Sequence, residues 1–336
     1  MAGRLTVLEI CAGAGGQACG LEQAGFDHAA AVEIEPVFAD TLRLNRGWDV
    51  LTGDVRELDG RPYKGVELLA GGVPCPPFSI AGKQLGADDE RDLFPTALRL
   101  VAEAKPAAVL LENVRGLAGS RFGDYRERIL VKLHRLGYEP QWQVLNASEF
   151  SVPQLRPRFI LVAIKKKYAK QFCWPQAQRT PPTVGRAVGD LMSERGWPGA
   201  MRWAALANGI APTIVGGSLK HGGPDLGPTR ARADWLRMNV DGLGIANEAP
   251  GPDAPVEFIP RLTTRMVARL QGFPDEWQFA GKKTAQYRQI GNAFPAPVAA
   301  AVGRSIYAAL TGTACATSGE DEFASGLVLV SSHAES

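Results

Sequence analysis

Short apolar runs alternate with amphipathic stretches through the first half of the chain. The apolar runs predict strands at residues 5–10, 29–32, 66–70, 107–111 and 159–164. The amphipathic stretches predict a helix that opens at residues 20–24 and further helices at residues 37–44, 93–104 and 125–136. Strands that alternate with helices of this length indicate βαβ units and a mostly parallel sheet. Ligands of such sheets bind at the carboxyl ends of the strands, so we expect the chemistry directly after each strand.

The second half of the chain divides into an irregular segment and a return of regular pattern. Residues 181–260 are rich in glycine and proline and show weak periodicity, which predicts a smaller, irregular second domain. Regular pattern returns at residues 261–270 and 297–310, and the latter predicts a helix. We therefore expect a first domain at residues 1–180 and 261–312, a second domain at residues 181–260, and a flexible tail at residues 313–336.

The composition is that of a folded globular protein, since 45% of the 336 residues are hydrophobic and 21% are charged. The net charge of +2 does not by itself indicate a nucleic-acid partner, so any basic surface has to be local. The five cysteines include no CxxC pair, so we expect no metal site and a reducing, cytoplasmic location. The amino terminus has no secretory signal, and we find no window of the roughly 20 apolar residues that a membrane helix needs.

A glycine-rich loop, residues 12–16, follows the first predicted strand and precedes a helix. Glycines at this position let the backbone turn tightly and approach a nucleotide-like cofactor closely, although such loops also bind dinucleotides or simply close a turn. Glu33 ends the second predicted strand, where it could bind ribose hydroxyls. Asp54 follows a third short apolar piece, where it could hold an adenine amino group. Each acid taken singly is more often a solvated surface charge.

Three further stretches carry reactive side chains directly after or before predicted strands. Cys75 lies between prolines in a rigid turn that aims its side chain, although a buried structural cysteine is the ordinary alternative. Glu112 follows the strand at 107–111, where it suits acid–base chemistry or, alternatively, the start of a helix. Arg156 and Arg158 precede the last strand at alternate positions, which suits a phosphate or carboxylate partner or a basic strand edge.

Taken in order, these blocks resemble the DNA (cytosine-5-)methyltransferases of the bacterial restriction–modification type, over about residues 5–310. The matching blocks are AGAGG, VPCPPFS, ENV, QLRPR, RLTTRMVARLQGFPDEWQF and QYRQIGNAFPAPVAAAVG. Two positions depart from the family pattern. Cys11 stands where the family usually has a phenylalanine against the adenine, and GNAFP replaces the commoner GNSV, so Asn292 is the residue of that block that carries over. The absence of a long segment before the first strand favours the compact bacterial enzymes.

The resemblance implies a Rossmann-like class I methyltransferase domain with a mostly parallel sheet, plus a smaller target-recognition domain at residues 181–260. It also implies S-adenosylmethionine as the methyl donor, S-adenosylhomocysteine as the product, and no metal. The residues that it assigns to the cofactor are Cys11, Ala12, Gly13, Gly15, Gly16, Glu33, Ile34, Asp54, Val55, Pro74, Leu93, Asn292 and Ala293.

The mechanism that the resemblance implies begins with attack of Cys75 on carbon 6 of a cytosine swung out of duplex DNA. Glu112 shares a proton with ring nitrogen 3, which requires a raised pKa. Arg158 orients Glu112 and binds the cytosine carbonyl, and Arg156 positions the cysteine loop or a phosphate. The loop after Ser79, with the charged run 88–92, is the expected lid.

Sequence reading is expected in the recognition domain, where a threonine motif at Thr213 touches the DNA backbone. The residues assigned to DNA are Ser79, Gln84, Asn113, Gln154, Thr213, Lys220, His221, Arg230 and Arg232. Double-stranded DNA is the expected partner of a monomeric protein that does not bind membranes and is paired in function with a restriction endonuclease.

Three other functions fit parts of the pattern. An RNA (tRNA) cytosine-5 methyltransferase shares the core blocks, but the long segment at 181–260 favours DNA. A non-catalytic DNA-binding homologue would have little reason to retain Cys75 together with Glu112. A nicotinamide dehydrogenase shares the glycine loop but offers no role for the Pro-Cys-Pro turn.

Overall fold

The computed structural model describes residues 4–74, 92–177, 180–216 and 224–313. Within these ranges the strands are β1 (Leu5–Ile10), β2 (Phe26–Glu33), β3 (Val50–Thr52), β4 (Leu68–Gly71), β5 (Ala108–Val114), β6 (Tyr138–Asn146) and β7 (Pro157–Lys165). The helices of the first part are α1 (Gly16–Gln23), α2 (Pro36–Asn45), α3 (Phe94–Ala104), α4 (Gly123–Arg135) and α5 (Lys166–Ala169). The remaining helices are α6 (Val184–Ser193), α7 (Ala200–Leu206), α8 (Thr229–Arg237), α9 (Thr264–Leu270), α10 (Lys283–Asn292) and α11 (Ala296–Thr311).

The strands form one sheet in the order β3-β2-β1-β4-β5-β7-β6. Strands β1 to β5 pair in parallel, whereas β7 runs antiparallel to both β5 and β6. This arrangement confirms the predicted α/β class and the mostly parallel sheet. The chain order reverses between β1 and β4, so the loops that follow these two strands flank the crevice in which sheets of this kind bind ligands.

Helices cover both faces of the sheet, which is why its central strands are mostly apolar and buried. One face packs against α3 and α4, and the other packs against α1 and α11. The contact between α1 and α11 is close because it is made by small residues. A Cβ placed on Gly20 would lie 2.3 Å from the carbonyl oxygen of Ala296, so only glycine fits there.

Strand β6 and the helices of residues 181–260 were not predicted. Strand β6 lies at the sheet edge, contains Pro140 and has mostly half-buried or exposed side chains, so it lacks a clean alternation. Residues 181–260 are less irregular than expected, since they contain α6, α7 and α8. The buried side chains of Trp203 and Trp235 share one apolar cluster with Met266 and Tyr287 of the flanking helices. Residues 181–260 therefore pack on the same core as α9 and α10, and the predicted domain boundaries stay a prediction.

One long apolar stretch lies near the end of the described part of the chain. Lys283–Thr311 is long and apolar enough for a membrane helix by composition, with a mean hydropathy of 1.2 in its most apolar window. However, 72% of that window is buried inside the protein. This burial is the behaviour of a core helix, and α11 is indeed the helix that covers one face of the sheet.

Candidate active site

The glycine-rich loop leaves β1 through left-handed backbone conformations at Cys11, Gly13 and Gly15, with φ values of 51°, 57° and 86°. The glycines face different surroundings. A Cβ on Gly13 would meet no atom within 4 Å, so this residue faces open space. A Cβ on Gly16 would lie 2.3 Å from the Phe294 carbonyl oxygen. Gly13 thus borders the crevice, while Gly16 makes a backbone contact that no larger residue permits.

Glu33 holds this loop from the end of β2. Its carboxylate accepts hydrogen bonds from the backbone N–H of Gly13 at 2.7 Å and of Glu35 at 2.9 Å. The side chain is buried, and burial raises its pKa. Burial, followed by the nearby charge of Glu33, also raises the pKa of Cys11 to about 12. Cys11 is therefore a protonated, packing thiol at neutral pH, not a nucleophile.

The loops that follow β2 and β3, beside β1 in the sheet, combine an exposed apolar side chain with a paired acid. Ile34 is 58% exposed, which is unusual for its size and leaves an apolar surface beside the loop. Asp54 accepts a hydrogen bond from the Arg56 guanidinium at 2.9 Å, and this interaction lowers the pKa of the Asp54 carboxyl. Val55 is buried behind it.

Residues 75–91 lie outside the described residues, and they include Cys75, Ser79, Gln84 and most of the predicted lid. Pro74 and Leu93 lie on either side of this segment. The backbone N–H of Leu93 donates to the carbonyl of Pro74 at 3.3 Å. Asp92 belongs to the charged run assigned to the lid, but it is buried. It accepts hydrogen bonds from the backbone of Phe94 and from the hydroxyl of Tyr125. Asp92 is thus fixed to the protein and does not extend into solvent as part of a lid.

Glu112 and Arg158 form a buried ion pair at the carboxyl edge of the sheet. The antiparallel register places Val114 opposite Arg158. Glu112 lies two residues before Val114 on the same side of β5, so its side chain meets that of Arg158 across the neighbouring strands. The Nε atom of Arg158 lies 2.8 Å from Oε1 of Glu112, and the side chains are only 13% and 12% exposed. Burial raises the pKa of Glu112 and outweighs the opposing effect of Arg158. The other carboxylate oxygen faces Gly72, where a Cβ would lie 3.4 Å away.

Asn113 supports the backbone that leads to Cys75. Its side-chain amide donates to the carbonyl of Val73 at 2.7 Å, and its carbonyl oxygen accepts from the N–H of Val114. The residue is buried. The side chain of Asn113 is directed at the protein backbone, and its assignment to DNA stays a prediction.

Arg156 and Gln154 also lie inside the protein. The guanidinium of Arg156 donates to the carbonyl groups of Ile214 at 2.6 Å, Gly291 at 2.8 Å and Ala293 at 3.0 Å. Arg156 is 1% exposed and Gln154 is fully buried, so other segments of the protein cover both side chains. The assignment of Gln154 to DNA and the phosphate-binding alternative for Arg156 stay predictions. The alternation of Arg156 and Arg158 predicted a shared face, but it did not reveal that other segments cover Arg156.

The residues assigned to DNA in the recognition segment have different surroundings. The Thr213 hydroxyl donates to the carbonyl of Leu155 at 2.6 Å. Arg230 is exposed at the start of α8, whereas Arg232 is half-buried and lies 3.8 Å from the carboxylate of Asp225. Lys220 and His221 lie outside the described residues.

Two residues of the closing blocks have contacts that the sequence did not assign. Trp277 donates its indole N–H to the carbonyl of Ala14 at 3.1 Å, and its ring fills the space that a side chain on Gly15 would need. Gln271 is buried and donates to the carbonyl of Ala293 at 2.7 Å. The only available signal was that both residues fall in blocks that resemble the family. Asn292 lies against Gly216, and Ala293 lies against Gly16.

The described part of the chain therefore combines a glycine loop with an open edge, a buried acid paired with arginine, and the two ends of the segment that contains Cys75. No group of three or more histidine, cysteine, aspartate or glutamate side chains suited to a metal ion occurs among residues that the structure describes. This set suits acid–base and nucleophilic chemistry on a bound ring beside a nucleotide-like cofactor.

The chain matches the family model of the C-5 cytosine-specific DNA methylases over residues 5–209 and 230–308. It is 58% identical over 311 residues to the type II methyltransferase M.NaeI of Lentzea aerocolonigenes, a match that covers 91% of this chain and 75% of that protein. It is 54% identical over 314 residues to the type II methyltransferase M.NgoMIV of Neisseria gonorrhoeae, with 91% and 98% covered. The solved Dnmt2 methyltransferase of S. pombe has a TM-score of 0.61 at 19% identity, covering 92% of this chain and 99% of that one. This last likeness concerns the fold alone, and it confirms the predicted Rossmann-like architecture.

Proposed function

Since the chain belongs to the C-5 cytosine-specific DNA methylase family and is a DNA cytosine-5 methyltransferase, we propose that it methylates one cytosine within a specific sequence of double-stranded DNA, with S-adenosylmethionine as the methyl donor. The observation that carries this proposal is the buried pair of Glu112 and Arg158, which faces Gly72 in the segment leading to Cys75. A buried acid held by an arginine is suited to protonating a ring nitrogen.

The glycine loop and its surroundings fit S-adenosylmethionine. Gly13 leaves open space for a ligand, and its backbone is fixed by Glu33, whose carboxylate retains acceptor capacity for ribose hydroxyls. The exposed side chain of Ile34 offers an apolar contact for an adenine ring. Cys11 is smaller than an aromatic residue, so on its side the adenine would have less contact area. When bound, the cofactor supplies the electrophilic methyl group that carbon 5 accepts.

The protein's own residues make the cytosine ring reactive. The thiolate of Cys75 attacks carbon 6 and forms a carbon–sulfur bond, and the displaced ring electrons are balanced by a proton from Glu112 on nitrogen 3. Burial raises the pKa of Glu112, which favours the protonated form that this step requires. Arg158 holds Glu112 in place. After methylation, water removes the proton on carbon 5, the carbon–sulfur bond breaks to release Cys75 as a thiolate, and nitrogen 3 returns its proton to Glu112.

The target base has to leave the duplex for this chemistry, because carbon 5 and carbon 6 lie within the base stack. We assign target recognition to residues 181–260, with Thr213 and Arg230 as candidate DNA contacts. The proposed biological role is protection of host DNA in the bacterial cytoplasm from a restriction endonuclease that reads the same sequence. The enzyme acts as a monomer in this proposal.

A direct test replaces the nucleophile. The variant Cys75→Ser is expected to bind S-adenosylhomocysteine like the wild type, yet to transfer no methyl group to plasmid DNA. The wild type is expected to form a stable covalent adduct with duplex DNA that contains 5-fluorocytosine, and the variant is not. Transfer assays on tRNA serve as the control for substrate class, and bisulfite sequencing of the plasmid identifies the modified cytosine. Normal turnover by Cys75→Ser, or transfer to tRNA alone, would refute the proposal.

A further inference from the structure

A closed ring of hydrogen bonds lies between the recognition segment and the catalytic domain. Starting at the recognition segment, the N–H of Ile214 donates to Gln154 at 2.8 Å, and the Gln154 amide donates to Gln271 at 2.7 Å. Gln271 donates to the carbonyl of Ala293 at 2.7 Å. Arg156 closes the ring by donating to both Ala293 and Ile214. All three polar side chains are at most 1% exposed.

The ring holds one short segment, residues 211–216, on two sides. On the first side this segment pairs with the residues before β7, since the N–H of Leu155 donates to the carbonyl of Ala211 at 2.8 Å. On the second side Gly216 touches the end of α10. A Cβ on Gly291 would lie 2.4 Å from the nitrogen of Gly216, so the two backbones are in direct contact.

The same end of α10 contacts the cofactor loop. A Cβ on Gly16 would lie 3.1 Å from the Cβ of Ala293 and 2.3 Å from the carbonyl oxygen of Phe294. Ala293 also accepts the hydrogen bonds of both Arg156 and Gln271. A movement of residues 211–216 on DNA would therefore displace the ring and the residues that contact the glycine loop. Buried amides and guanidinium groups resist such a displacement, because leaving one of them without a partner is costly.

We propose that Gln154, Arg156 and Gln271 are positioning residues that couple DNA recognition to cofactor binding through this ring. The inference rests on the proposed function, since it takes duplex DNA and S-adenosylmethionine as the two ligands. Linkage requires the coupling to be reciprocal, so each ligand tightens the binding of the other by the same factor. Coupling between sites commonly amounts to about 5- to 150-fold in affinity.

The experiment measures DNA affinity with and without saturating S-adenosylhomocysteine, on a duplex that contains the site found by bisulfite sequencing. The wild type is expected to bind this duplex at least about 5-fold more tightly with the cofactor product. In Gln271→Met, an unbranched side chain of similar size removes two hydrogen bonds of the ring, and the gain is expected to fall below about 2-fold. Arg156→Lys keeps a positive charge but cannot span three carbonyl groups, so it gives a second and independent measurement.

The matched control is Gln289→Met. Gln289 lies on α10 and is also a buried glutamine. Its side chain forms hydrogen bonds with Thr41 and Ala280, but it is not part of the ring. It is expected to keep the wild-type coupling, with folding of all variants checked by thermal unfolding. Three results would overturn the inference. They are wild-type coupling in Gln271→Met and Arg156→Lys, a loss of coupling in Gln289→Met equal to theirs, and an absence of coupling in the wild type. If the wild type methylates no DNA at all, the proposed function itself has failed.

Discussion

Gly13 and Gly16 belong to the same loop, yet their replacement by alanine is expected to have different consequences. In Gly16→Ala the new methyl group would lie 2.3 Å from the backbone oxygen of Phe294, which cannot rotate away. Overpacking of this kind costs typically about 1–3 kcal/mol of stability. In Gly13→Ala the methyl group meets no protein atom within 4 Å, so the main cost to folding is the positive φ of 57°. That conformation costs about 1–2 kcal/mol in a residue other than glycine.

The two variants are distinguished by cofactor binding. The open space beside Gly13 is the space that we assign to S-adenosylmethionine, so the methyl group of Gly13→Ala would meet the ligand. A steric conflict of about 1–3 kcal/mol corresponds to roughly 5- to 150-fold weaker binding. Gly16→Ala is expected to change the affinity less, because its methyl group points into the protein.

The assay is thermal unfolding at increasing concentrations of S-adenosylhomocysteine, combined with titration calorimetry. A ligand at 100 times its dissociation constant stabilises the folded state by about 2.7 kcal/mol. Gly16→Ala is expected to start from a lower unfolding temperature and to gain nearly the full ligand stabilisation. Gly13→Ala is expected to lose about 1–2.4 kcal/mol of that gain at the same ligand concentration. If Gly13→Ala bound the cofactor like the wild type, the assignment of the open space would be wrong.

The remaining predictions concern the acid and the loop contacts. Burial raises the pKa of Glu112, and its protonated form is the active one, so kcat is expected to fall as the pH rises through that pKa. Glu112→Gln is expected to lose this basic limb of the pH profile. It is also expected to lose most of kcat while retaining DNA affinity. A pH profile of single-turnover rates for both proteins checks this, and an unchanged basic limb in Glu112→Gln would assign the titration to another group. Trp277→Phe removes the hydrogen bond to Ala14, a loss of about 1 kcal/mol that should raise the KM for S-adenosylmethionine about 5-fold with little change in DNA affinity. Steady-state kinetics with each substrate varied in turn decides this, and an equal rise in both KM values would contradict a specific role in the loop.

The apolar pattern predicted the parts of the fold that depend on local sequence. The boundaries of β1 agree with the prediction, and those of α2, α3 and α4 agree to within two residues at each end. The helix predicted at residues 20–24 begins earlier, at Gly16, because the last glycine of the loop already belongs to its first turn.

The sequence by itself determined which reactive residues follow which strands, since the order of strands and loops is a property of the chain. Tertiary structure alone decided which of those side chains face a ligand. Asn113, Gln154 and Arg156 are polar residues next to a predicted site, and the family resemblance assigned the first two to DNA and the third to the cysteine loop or a phosphate. They are buried instead, because segments far away in sequence, such as residues 211–216 and 291–293, cover them and supply their hydrogen-bond partners. Periodicity shows the direction of a side chain from its own strand, but it carries no information on what a distant segment places in front of it.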